Sequence, residues 1–252
     1  NTMASPYLCR PIEWGADIVV HSTTKFLNGQ CTAIGGAVVD AGTFDWLKHG
    51  ERFPELGRPH ASCGGKVLAE VFGARALTVH GHAIGLRGLG ASQSPFNSFL
   101  TLNGIETLGI RMDRHVKNAL AVAEWLENHP EISSVSYAGL PSSAYHTLAK
   151  KYLPKGAGAV FTFGLKGGFE AAKATVEHLK LFSMLANIGD TRSLVIHPAS
   201  TTHSQLTEAQ RQATGVLGEM IRVSIGIEDI DDIIADLDQA IAGATAGLRK
   251  AG

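Results

Sequence analysis

Apolar and polar positions alternate along this chain with two different periods, and each period predicts a different kind of element. Asp17-Ile18-Val19-Val20-His21 has a short β-branched centre and predicts a buried strand of a parallel sheet, closing in the polar turn Ser22-Thr23-Thr24-Lys25. Gly36-Ala37-Val38-Val39-Asp40 predicts a second such strand, and two of them so close together imply an α/β core. The stretch from Lys66 to His82 reads as helical, and the four glycines Gly81, Gly85, Gly88 and Gly90 predict a bend after it. Val116, Ala119, Leu120, Ala123 and Leu126 recur at helical spacing and predict a long helix, with Pro130 just past its end.

Beyond Pro130 strand and helix patterns follow one another. Strands are expected over 133–137 and 159–165, then a helix presenting Phe169, Ala172, Val176 and Leu179 on one face. Ile221, Val223 and Ile225 alternate with Arg222 and Ser224, the period-2 signature of a half-buried strand, which turns Arg222 away from the core face. A final helix over 229–250 puts Ile230, Ile233, Ile234, Leu237 and Ile241 on one stripe, with acids in its first turn favouring the helix dipole. This organisation predicts a sheet-bearing first part, residues 1–130, and a smaller α+β second part, residues 131–252.

Composition narrows the function. The 252 residues carry a formal net charge of -1 with acids and bases interspersed, so nothing points to nucleic acid or an anionic membrane, and a small-molecule ligand is expected. No apolar run approaches the roughly 20 residues of a membrane span. Cys9, Cys31 and Cys63 form no Cys-x-x-Cys or zinc-type cluster, which fits a reducing cytoplasm. Eleven histidines raise the question of a metal, but His80 and His82 fall on different helix faces, and His197 and His203 lack a ligand set by spacing, so no metal is expected. The glycines of 81–90 lack the order of a dinucleotide fingerprint.

Lys25 follows a buried strand and a hydroxyl-rich turn. Partial burial favours its neutral amine, a nucleophile for an aldehyde, and the Ser22 and Thr24 hydroxyls with nearby N–H groups suit a phosphate. From these residues alone a surface lysine at a strand end, and a structural salt bridge for Arg222, remain open readings.

The segment Asp17 to Gly29 followed by Ile34-Gly35-Gly36 resembles the cofactor-lysine segment of the Cys/Met-metabolism pyridoxal-phosphate (PLP) enzymes. The likeness continues, in order, at Ser94-Pro95-Phe96-Asn97, at Gly104-Ile105-Glu106-Thr107-Leu108 with Arg111 and Arg114-His115, at His197 to His203, and at Ile221 to Asp229. It implies part of an aspartate-aminotransferase-like (fold type I) large domain followed by the smaller α+β domain. Lys25 is then the lysine that binds PLP, Ser22 and Thr24 contact its phosphate, and Arg222 receives the substrate α-carboxylate with Asn187 lining the same site. The finer motifs are most similar to the O-acetylhomoserine sulfhydrylases, which implies γ-replacement of acetate by sulfide or a thiol. Cystathionine or methionine γ-lyase chemistry is the alternative. The likeness also implies a homotetramer, and an aspartate just before the Asn-Thr matched by Asn1-Thr2. The chain is therefore expected to be one piece of a longer enzyme, non-catalytic alone or acting as half of a split one.

Overall fold

A computed structural model describes the backbone of residues 1–251 and the side chains of residues 1–247. Its strands are β1 (Ile18–Ser22), β2 (Gly36–Asp40), β3 (Pro59–His60), β4 (Lys66–Val67), β5 (Ile132–Ser136), β6 (Val160–Leu165), β7 (Ser183–Met184), β8 (Leu194–Ile196) and β9 (Met220–Ser224). The helices are α1 (Ser5–Leu8), α2 (Pro54–Gly57), α3 (Leu68–Phe72), α4 (Ala76–His80), α5 (Arg87–Leu89), α6 (Pro95–Glu106), α7 (Leu108–Glu127), α8 (His146–Tyr152), α9 (Gly168–His178), α10 (Glu208–Ala213) and α11 (Ile230–Ala251).

The main sheet runs β5-β6-β9-β8-β7, antiparallel except where β7 joins β8. In β9 Ile221 and Val223 are completely buried while Arg222 is half-buried, as period 2 requires. Helix α11 carries Ile233, Leu237 and Ile241 at helical spacing, all fully buried, and packs against α9 and α7. The long α7 contributes Met112, Ala119, Val122, Ala123 and Leu126 to the same core. Phe26 and Leu27, from the turn after β1, are also buried in that core, so the candidate lysine stands directly beside it.

Two expectations are corrected. β1 and β2 pair antiparallel, Val20 facing Val38, and do not belong to a parallel sheet of this chain. A parallel return needs a crossover of a dozen or more residues, usually a helix; residues 23–35 instead fold into tight turns that bring β2 straight back. The hairpin is also only partly covered: Ile18, Val20 and Val38 are exposed on one face, and on the other Val19 is buried while its partner Val39 is exposed. The second correction concerns 66–90, which is broken into α3, α4, a π-helical turn over Gly81–Leu86 and α5, instead of one helix followed by a bend. Gly73, at φ 51°, interrupts it where ordinary side chains resist that backbone. These pieces and the preceding loop enclose a second, small core of Trp46, Leu56, Leu68, Ala69 and Ala76. No helix of the described residues is long and apolar enough to cross a membrane.

Candidate active site

Lys25 lies in the turn that follows β1. Asn28 N–H donates to Thr23 O (3.0 Å) and Gly29 N–H to Lys25 O (2.8 Å), so the backbone winds tightly around the lysine. Phe26 is driven inward and meets the ring of His115 edge-on, 5.2 Å between centroids. Arg111, buried on α7, locks the turn from beneath: it donates to Phe26 O (2.8 Å), Leu27 O (3.4 Å) and Gly104 O (2.6 Å). Burial pulls the Arg111 guanidinium down from its usual value, and three carbonyls are the compensation that lets a charge sit there.

A second segment, residues 185–193, crosses over this turn. Thr191 N–H donates to Gly29 O (2.8 Å) and Gly189 N–H to Ser224 Oγ (3.0 Å). Gly189 has φ 77°, and a Cβ there would stand 2.7 Å from the Phe26 nitrogen, so only glycine allows the two segments to touch. The far end is tied down by Glu228, which accepts from Ser193 N–H (2.6 Å) and Ser193 Oγ (2.9 Å). Burial raises the Asp190 carboxyl, but hydrogen bonds and the charge of Arg192 outweigh it and leave it below the usual carboxylate range.

This crossing brings together three of the five sequence-selected residues. The Lys25 ammonium donates to Asn187 Oδ1, and Arg222, from the middle of β9, donates to Asn187 O at 3.3 Å. All three are half-buried, and burial lowers the Arg222 pKa from its usual value. Asn187 therefore bridges an amine and a guanidinium separated by 197 positions in the chain, Lys25 to Arg222. The hydroxyls divide. Thr24 Oγ1 accepts from Gly35 N–H (3.1 Å), whereas among the described residues nothing hydrogen-bonds the Ser22 hydroxyl, whose N–H donates to Thr2 Oγ1 (2.9 Å).

The residues fit an anionic cofactor bearing an aldehyde. Thr23 Oγ1 is buried without a hydrogen-bond partner, the sort of orphan group that an added acceptor satisfies. A Cβ at Gly35 would come within 2.6 Å of both Thr23 Oγ1 and Gln93 Oε1, so glycine there keeps the space beside the Thr23 hydroxyl open. An apolar cavity of about 290 Å³, lined by Val19, His21, Val39, Cys9 and Pro11, shares none of the Lys25, Asn187 or Arg222 side chains.

Two neighbours carry roles that the sequence pattern does not assign. Cys31 donates to Ile188 O (3.5 Å) in the same crossing, and burial first, then Asp190, raises its thiol pKa. It therefore stays protonated and does not compete with the amine as a nucleophile. Arg111 was visible only as part of a motif, because its targets are backbone carbonyls that no side-chain pattern announces.

The model of the Cys/Met metabolism PLP-dependent enzymes matches residues 1–242. Homocysteine synthase of Schizosaccharomyces pombe is 52% identical over 235 residues, covering 93% of this chain and 55% of its own length. O-acetyl-L-homoserine sulfhydrylase 1 of Thermus thermophilus is 48% identical, covering 94% and 56%. A Campylobacter jejuni crystal structure assigned as an O-acetylhomoserine (thiol)-lyase, with N'-pyridoxyl-lysine-5'-monophosphate in it, superposes with a TM-score of 0.90 at 43% identity over 96% of this chain and 57% of that one. The chain thus spans about half the length of the relatives it matches.

Proposed function

The chain belongs to the Cys/Met metabolism PLP-dependent enzyme family, and on that premise we propose that it supplies the lysine and carboxylate-binding half of an O-acetylhomoserine sulfhydrylase. The reaction exchanges the acetate of O-acetyl-L-homoserine for sulfide or a thiol, giving homocysteine or methionine. The observation that carries the reading is the Lys25–Asn187–Arg222 contact. The Lys25 amine would hold PLP, with the Ser22 and Thr24 hydroxyls toward its phosphate. When bound, the cofactor supplies an electron sink that acidifies the substrate Cα–H and then Cβ–H.

Arg222 binds the α-carboxylate, and a fork of two N–H donors fixes the Cα–H direction as a single ammonium would not. Asn187 accepts from the Lys25 ammonium through Oδ1 and holds Arg222 through its backbone oxygen, so one residue sets the spacing between proton carrier and carboxylate clamp. Lys25 would take the proton at Cα and return one later in the sequence. The buried apolar wall of Phe26 and Leu27 limits water behind the amine.

The same reading takes residues 1–130 as the end of the cofactor domain with its connecting helix and 131–252 as the small domain. A longer polypeptide, assembled as a homotetramer in the cytoplasm, is the working enzyme. The test uses that full-length protein with added PLP. Sulfide-dependent formation of homocysteine from O-acetylhomoserine is expected, and borohydride reduction followed by peptide mapping should leave the pyridoxyl group on Lys25. Sulfide-independent release of ketobutyrate would instead point to a γ-lyase, and an unlabelled Lys25 would end the cofactor assignment.

A further inference from the structure

Away from Lys25, the small core of residues 44–77 leaves one polar cluster unexplained. Glu55 in α2, His60 in β3 and His80 at the end of α4 each present a ligating atom, and the three atoms lie within 4.8 Å of one another. Glu55 Oε2 and His60 Nε2 are 2.8 Å apart, and the His60 and His80 rings stand edge to face at 6.0 Å between centroids. His80 Nε2 and His60 Nδ1 are both buried and have no hydrogen-bond partner. A buried imidazole nitrogen without a partner is unfavourable in a structural core, and an ion held among these three side chains would satisfy one.

We propose that Glu55, His60 and His80 bind one divalent transition-metal ion of the zinc type. Two imidazoles and one carboxylate are a donor set zinc accepts, with a water in the fourth position. The carboxylate offsets part of the ion's charge. Tetrahedral coordination at about 2.0–2.2 Å places ligand atoms about 3.3 Å apart, so Glu55 and His60, now 2.8 Å apart, open slightly while the atoms furthest apart, within 4.8 Å, draw together, and rotation of the exposed Glu55 side chain supplies part of that movement. The ion would join α2, β3 and α4, elements otherwise held by a five-residue buried core, which is where a metal staple contributes most. Lys66, opposite His60 in β4, is exposed, and its long stem leaves the ammonium in water.

Spacing gave no hint of this set. The histidines are 20 residues apart, from 60 to 80, and their approach, 6.0 Å between ring centroids, depends on the path of the chain through the broken helix.

The test is titration of chelator-treated full-length protein with zinc chloride, followed by cobalt(II) substitution. The expected result is one equivalent whose affinity falls by at least about tenfold in Glu55→Gln and in His80→Gln, together with a cobalt spectrum of a nitrogen and oxygen donor set. His82→Gln, on an exposed neighbour bonded to Thr78 O, is the control and should bind as the parent does. Because Glu55 is on the surface, E55Q keeps the test decisive even if the histidine variants fold poorly. Zinc binding unchanged in E55Q, no saturable binding at all, or a thiolate-to-cobalt band from a cysteine ligand would each overturn the assignment.

Discussion

The β1–β2 hairpin and strand β9 are written in the same alphabet of alternating β-branched residues, yet they are covered very differently. Ile221 and Val223 in β9 are 0% exposed, whereas Val20 and Val38, paired across the hairpin, are 58% and 64% exposed. β9 has β6 on one side, β8 on the other and helices against its face. The hairpin has a partner on one edge only, and Phe96, Phe99 and Leu102 of α6 add a further exposed apolar stripe at spacings of three. Arg222, the proposed carboxylate clamp, therefore stands on a finished core, while Lys25, the proposed cofactor lysine, stands between that core and an apolar surface that the described residues of this chain leave open. Exposed apolar area of this kind marks a place to be covered, and the rest of the longer polypeptide is the covering we propose.

The largest effect expected separates chemistry from scaffold. Lys25→Ala in the full-length protein should lower turnover by about 10⁴-fold, since it removes both the nucleophilic amine and the proton carrier. The fold should persist, because Lys25 projects from the turn while Phe26 and Arg111 hold it. A circular dichroism melt unchanged within about 2 °C, alongside the lost activity, is the check.

The next effect belongs to the finished core. His115 is fully buried on α7, with Nδ1 2.7 Å from Ile225 O, and burial lowers its pKa to about 4. The folded value lies below the unfolded one near 6.5, so the unfolded state binds the extra proton and stability rises with pH between them. The contribution is present above pH about 6.5 and is lost as pH falls toward 4, on the order of 3 kcal/mol in total. Urea midpoints measured across that window should slope accordingly, and the slope should flatten in His115→Asn. A parent protein with no slope there would mean that the core admits water at His115.

How far the sequence announced this arrangement follows the same divide. α7, α11 and β9 were legible because one face of each meets a continuous core, and burial is what creates periodicity; Arg222 turning off the core face followed directly from it. The pairing of the hairpin is not legible because β-branched runs report a preference for strands and carry no information on which strand lies beside them. The interruption of 66–90 is not legible because Ala and Leu satisfy helix propensity while Gly73 sets the backbone path locally. Lys25 stands out chiefly by resemblance, and its contact with Asn187 depends on Gly189 allowing two distant loops to touch, a tertiary fact without a local signal.

Arg222 tests whether the clamp is as independent as its setting suggests. Arg222→Lys keeps the charge but gives up the forked geometry, so kcat/KM should fall by about 10²-fold, chiefly through KM. Stability should barely move, because the side chain is half-buried and the hydrogen bond it makes among the described residues, to Asn187 O, is long at 3.3 Å. A loss appearing mainly in kcat, with KM unchanged, would make Arg222 a positioning residue for Asn187 and Lys25 instead of the carboxylate site.

The smallest effect addresses the hairpin directly. Val20→Thr with Val38→Thr replaces two exposed, facing methyl-bearing side chains by near-isosteric polar ones. In the 252-residue chain each should change the unfolding free energy by no more than about 0.5 kcal/mol, the usual range for surface positions. In the full-length protein the same pair should cost more, about 1–3 kcal/mol for each hydroxyl buried without a partner, if those valines are covered there. Matched urea titrations of the two forms read the difference. Equal, small effects in both would mean that the outer face of the hairpin stays in water, and that the contrast with β9 reflects an edge left permanently open instead of one closed by the remainder of the polypeptide.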